Sequence, residues 1–139
     1  MSRVIDIIDE KLVSVSPDAT AIEAAQQMRA CGAGVIPVCE NGKFRGIVRE
    51  RDIMGLVAAG IDPACERVGT VMCNHLPIVP PGADIVEAAK IMVNNGVREL
   101  PVAQNGRLVS LLTLDVLARK SPALAALVFS KTANSKRID

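Results

Sequence analysis

The side chains best placed for chemistry lie in two short stretches, Arg49-Glu50-Arg51-Asp52 and Thr113-Leu114-Asp115. Each follows an apolar run and opens a helical pattern. A helix N-terminus presents free amides and the positive end of its dipole, which favours an anion such as phosphate. A carboxylate just inside that first turn can accept hydrogen bonds from two hydroxyls. An arginine there either blocks the space or clamps an anion through its planar fork. The same residues have a plainer role. Asp52 is a good first-turn acid whether or not anything binds, and Arg49, Glu50 and Arg51 also read as a solvated face.

Catalysis has little to work with. The one histidine, His75, precedes a short predicted strand and has no evident acid partner. There is no G-x-S-x-G, no P-loop and no Cys-His pair, so the chain is not expected to be an enzyme. The cysteines, Cys31, Cys39, Cys65 and Cys73, form no C-x-x-C pair. A zinc site needs four convergent ligands at short spacing, so no metal site is expected. Reduced cytosolic thiols are the better reading. A formal charge of +1 and the absence of Trp and Tyr leave neither an electrostatic footprint nor stacking platforms for nucleic acid. No apolar run approaches the roughly 18 residues of a membrane span. The N-terminus carries Arg3 and Asp6 where a secretory segment would be continuously apolar. The expected compartment is the cytoplasm.

The elements that position these residues come from an internal repeat. Between positions 4 and 48, 14 residues recur at a shift of 64, without a gap. They include Val4, Val15, Pro17, Glu23, Met28, Gly32, Pro37, Asn41 and Gly42, matched by Val68, Val79, Pro81, Glu87, Met92, Gly96, Pro101, Asn105 and Gly106. A repeat sets the architecture before any single motif does. Each copy opens with a short apolar turn, Val4 to Ile8 or Val68 to Met72. An extended stretch follows, Leu12 to Val15 or Leu76 to Val79. Thr20-x-x-Glu23 and Asp84-x-x-Glu87 are capping-box signals for a helix. Met28 and Met92 fall on the apolar helical face and read as core. Gly32 and Gly96 are placed to end the helices with positive φ. Val35 to Cys39 and Glu99 to Ala103 are strands. Asn41-Gly42 and Asn105-Gly106 predict type I′ hairpins into return strands. Pro37 and Pro101 cannot donate to a ladder, so each sits at an edge or beside an interruption, where backbone is open to a cleft. Second helices follow, Glu50 to Ala59 and Leu114 to Arg119. Ser121-Pro122 starts a short final helix, Ala123 to Ser130. The polar tail runs from Lys131 to Asp139.

The order β-α-β-β-α, twice, resembles tandem CBS domains, named for cystathionine β-synthase. The resemblance rests on Val13 to Ala25, Gly34 to Val38 and Asn41 to Asp52, with Ile78 to Ala89, Gly96 to Val102 and Asn105 to Asp115 in the second copy. It implies an α/β (α+β) fold of two CBS units packed with pseudo-two-fold symmetry. The organisation is then repeat 1 over 1–60, a linker over 61–67, repeat 2 over 68–120, and a C-terminal helix and tail over 121–139. It further implies two clefts for adenosyl ligands (AMP, ADP, ATP, NAD or S-adenosylmethionine), a homodimer of CBS pairs, and regulation of a partner protein not identified by the sequence. A ligand-free dimerisation or protein-interaction module is the alternative.

Carried over by this resemblance, the first cleft combines Val13, Ser14, Val15, Ala19, Val35, Ile36 and Pro37 with Thr113 and Asp115. The second combines Ile78, Val79, Ala83, Leu100 and Pro101 with Arg49, Arg51 and Asp52, and Arg98 adds positive charge. In the family a Ser/Thr and an Asp hold phosphate and ribose at the last strand and helix. Here Arg49 replaces the Ser/Thr. Asp115 stands one residue closer to Thr113 than is usual, which turns its side chain by about 100°. The second cleft is therefore favoured for a phosphorylated ligand.

Overall fold

Helices end and hairpins turn where the left-handed backbone is cheapest. Gly32 and Gly96 follow their helices with φ of 65° and 63°. Asn41 and Gly42 turn the first hairpin at φ 55° and 80°, and Asn105 and Gly106 the second at 56° and 77°. The computed structural model describes residues 2–8 and 13–133. The start of the predicted first stretch, Leu12, and the part of the tail holding Lys136 and Arg137 lie outside the described residues.

The described elements are a 3-10 turn (Val4–Asp6), α1 (Ala21–Cys31), β1 (Val35–Glu40), β2 (Lys43–Arg49), α2 (Glu50–Ala58), α3 (Val68–Val71), α4 (Ile85–Asn95), β3 (Glu99–Gln104), β4 (Arg107–Thr113), α5 (Leu114–Lys120) and α6 (Pro122–Thr132). This is a mixed α+β protein. The repeat holds to fine detail. Both hairpins are antiparallel, and both carry a bulge one residue after the proline, at Val38/Cys39 and at Val102/Ala103.

The predicted first strands shrink to single parallel bridges, Val15 with Val38 and Val79 with Val102. The cause is proline. Val15 N–H donates to the Pro37 carbonyl and Cys39 N–H to the Val15 carbonyl. The next rung of a parallel ladder needs an N–H at position 37, and proline has none. Val79, Pro101 and Ala103 repeat the pattern.

One predicted capping box forms and the other does not. Glu23 N–H donates to Thr20 Oγ1 at 3.2 Å, and Thr20 N–H donates to Glu23 Oε1 at 3.2 Å. In α4 the shorter Asp84 takes the Val86 amide at 2.9 Å, while Glu87 pairs with Lys90 at 3.4 Å. Copy one has Gln26 where copy two has Lys90, so the cation that engages Glu87 has no counterpart at that position beside Glu23.

Two compact units result. One spans 13–75; the other joins 2–8 to 76–133. Each copy's opening turn thus packs with the body of the other copy. Val4 N–H donates to the Ala83 carbonyl at 2.7 Å, and Val68 N–H to the Ala19 carbonyl at 2.8 Å. The core of the first unit is Val15, Ala24, Met28, Ile36, Val38, Val48 and Val68. The second core gathers Val4, Val79, Met92, Leu100 and Leu112 with Ala125 and Val128 of α6. The 61–67 segment is tied into the first unit: the Pro63 and Glu66 carbonyls accept from Ile22 and Ala21 N–H, filling amides that a helix start leaves open.

Candidate functional site

The two strand-to-helix junctions are built alike up to one carboxylate. Arg49 closes β2 opposite Val35, and Thr113 closes β4 opposite Glu99. The Glu50 amide donates to the Gly34 carbonyl at 2.9 Å, and the Leu114 amide to the Arg98 carbonyl at 3.0 Å. Arg49 is the N-cap of α2 and Asp52 its third residue, with the Arg49 N–H donating to Asp52 Oδ2 at 2.7 Å. Thr113 is the N-cap of α5 and accepts from the Val116 N–H at 3.2 Å. Position for position, the 64-residue register runs through both junctions. No residue is lost before Asp115. The carboxylate moves from the third helical position to the second, where Asp115 is exposed, and buried Val116 takes the third.

Burial separates the predicted residues by what they can offer. Arg49 is only 4 % exposed, Asp52 is half-buried and Arg51 is exposed. The side chains of Val15 and Ile36 belong to the first core, and those of Val79 and Leu100 to the second. What these four can present to a ligand is backbone. Pro37 and Pro101 are buried. Val13 and Ile78 are exposed large apolar residues, at 40 % and 52 %. Ser14 is exposed, while Ala19, Val35, Ala83 and Thr113 are half-buried. Each predicted cleft draws one group of residues from each unit. Within the first unit Val15 is joined to Pro37, and within the second Val79 to Pro101.

Arg98 is engaged inside its own unit. Its Nε–H donates to Thr132 Oγ1 at 3.0 Å, and its guanidinium lies 4.5 Å from the Phe129 ring centre. Both partners are on α6, which the repeat does not duplicate. In β1 the Cys39 thiol is pushed up by burial, with a side-chain hydrogen bond from Ser14 pulling the other way.

The sequence did not single out an open groove between α1 and α2. It holds about 590 Å³ and is lined by Ala25, Met28, Arg29, Ile53, Met54 and Val57, among others. None of the predicted cleft residues lines it. Met54 and Val57, 65 % and 56 % exposed, are its signal: apolar residues on a helix face that the local pattern leaves uncovered. Among the described residues, no three His, Cys, Asp or Glu side chains gather as metal ligands. Also among them, no helix is long and apolar enough to cross a membrane.

The family model for the CBS domain matches residues 4–59 and again 68–122. The chain belongs to the CBS-domain family. Hypoxic response protein 1 of Mycobacterium tuberculosis is 33 % identical over 134 residues, covering 94 % of this chain and 93 % of that protein. A crystal structure of Hypoxic Response Protein I with two coordinated zinc ions is similar at a TM-score of 0.76 and 29 % identity, over 85 % of this chain and 98 % of that one. The structure of CBSX2 in complex with AMP has a TM-score of 0.77 at 20 % identity, covering 88 % and 97 %. At that identity the likeness concerns the fold.

Proposed function

We propose that this CBS pair is a regulatory, ligand-sensing module that binds an adenosyl ligand and modulates a partner protein in the cytoplasm. Tandem CBS domains are typically regulatory ligand-binding modules, and the paired domain match over 4–59 and 68–122 carries the reading. The AMP held by CBSX2 supports the ligand class. The second predicted set is favoured: Arg49, Arg51 and Asp52 with Ile78, Val79, Ala83, Arg98, Leu100 and Pro101. Asp52 keeps the third helical position, half-buried and beside two arginines, whereas the other junction has Val116 there. Asp52 accepts the Arg49 amide through Oδ2, which fixes its carboxylate at the start of α2. The module itself carries no catalysis.

A thermal-shift panel of AMP, ADP, ATP, NAD and S-adenosylmethionine tests the proposal. A ligand at 100 times its Kd stabilises by about 2.7 kcal/mol, a rise of several degrees for a protein of this size. Asp52→Ala is expected to abolish the shift and Asp115→Ala to leave it. Asp52→Ala also removes a helix cap, costing about 1 kcal/mol, so the shift is read against each variant's own ligand-free midpoint. Shifts that survive Asp52→Ala overturn the site.

A second reading is a dimerisation module without a ligand. Its support is that Asp52 already serves as a cap, which is sufficient reason for its presence. It predicts a homodimer by light scattering and no shift with any of the five compounds. Self-association belongs to both readings; exposed Met54 and Val57 beside the α1–α2 groove support it.

A further inference from the structure

Two exceptions to the repeat fall together at one place. Copy one has Gly34 where copy two has Arg98. Both residues do the same backbone work, their carbonyls accepting from the first amide of the following helix. Only copy two adds a side chain there, and only copy two is followed by α6. The two additions meet. Arg98 Nε–H donates to Thr132 Oγ1, and the guanidinium stacks on Phe129.

The contact is specific in how it uses the guanidinium. Thr132 is 1 % exposed, and its own hydroxyl donates to the Val128 carbonyl at 2.6 Å. Its oxygen is thereby oriented to accept from Arg98. Phe129, 54 % exposed, supplies a ring face, which attracts a cation. One edge and one face of the guanidinium are taken. Both Nη nitrogens are without a partner among the described residues. These form the outer fork of the group, the end that grips phosphate oxygens in pairs. The helix that holds the fork is itself anchored: Ala125 and Val128 are buried in the core of the second unit, and Ser121 caps its start by accepting from Leu124 N–H at 3.3 Å.

We propose that α6 is the sensing element of this protein: through Thr132 and Phe129 it orients Arg98 as a fork for a phosphate-bearing ligand, so that anion binding and docking of the last turn of α6 reinforce each other. The inference rests on the ligand reading above and adds the part of the chain that responds. Arg98 is the contacting group; Thr132 and Phe129 are positioning residues. An arginine held in one orientation loses less freedom on binding than a free one. By reciprocity, an anion on the fork steadies the helix that holds it.

Hydrogen exchange of the full chain, with adenosine, ADP and inorganic pyrophosphate as probes, tests this. ADP and pyrophosphate are expected to slow exchange of the Val128 to Thr132 amides, and adenosine is not. Thr132→Val keeps the shape and removes the acceptor. It is expected to weaken ADP by about fivefold, the size of one hydrogen bond's net contribution, and to leave adenosine unchanged. Arg98→Ala is expected to abolish the exchange response. Should Thr132→Val destabilise α6, Phe129→Leu gives the same readout without touching a buried polar group. ADP binding with unchanged α6 exchange, or equal losses for ADP and adenosine, overturns the coupling and leaves the adenosyl reading. A pyrophosphate response without any adenosine or ADP binding overturns the adenosyl reading and leaves the coupling. No response to all three overturns both.

Discussion

Two glycines show how one residue type is required for different reasons. Gly32 ends α1 at φ +65°, and nothing lies within 4 Å of the place a Cβ would take. Gly32→Ala is a conformational penalty alone and is expected to cost about 1 kcal/mol. Gly46 has an ordinary φ, but a Cβ there would stand 2.6 Å from the Cys73 carbonyl oxygen. That backbone cannot withdraw, because Ile47 and Cys73 exchange hydrogen bonds at 2.9 and 2.8 Å. Gly46→Ala is expected to cost more, about 3 kcal/mol, as overpacking does. Urea unfolding of the two variants checks the order. The first glycine was legible from its place after a helical pattern. The second was not, since its neighbour is 27 positions away. Of the candidate site residues, Asp52 had its place in the first turn of α2 legible for the same local reason as Gly32. The core role of Val79 and Leu100 required their distant neighbours.

At the scale of elements, the first helix carries a pH signature. The Glu23 carboxyl is held below its usual 4.5 by the Thr20 amide first and the Thr20 hydroxyl second. A carboxylate lowered in the folded state stabilises fully above its unfolded value and loses that contribution as pH falls through its folded value. Glu23→Gln is therefore expected to unfold at a lower temperature than the parent at pH 7. The gap should close as pH drops below 4.5, in thermal melts from pH 7 to pH 3. Asp84-x-x-Glu87 has the same motif on paper, but Asp84 takes the Val86 amide instead of the Glu87 amide and no capping box forms. Its difference lies three residues on, where Lys90 replaces Gln26 and engages Glu87. Cap motifs are legible when their competitors are also local. The first strands were over-read for a related reason: apolar alternation marks Val15 and Val79 as extended, while Pro37 and Pro101, which stop the ladder, sit about 22 positions later.

At the scale of the whole molecule, the repeat in sequence and the units in space do not coincide. Val4 is fully buried in the core that also holds Val79, Met92 and Val128. Val4→Ala is expected to cost about 2 kcal/mol, as removing buried methyl groups does. Its effect is expected in the second unit, with faster hydrogen exchange in α4, α5 and α6 than in α1 and α2. Equal effects in α1 and α2 would contradict the exchange of opening turns.

The amino-acid sequence by itself determined the doubled element order, the hairpin turns, the helix ends and the family. Each of these rests on residues within a few positions of one another, or on the same pattern occurring twice. Tertiary structure decided which body each opening turn joins, which predicted cleft side chains belong to the core, and that Arg98 is held by α6. Those outcomes depend on burial and on contacts between residues far apart in the chain, 34 positions in the case of Arg98 and Thr132. Periodicity and spacing carry no record of such partners.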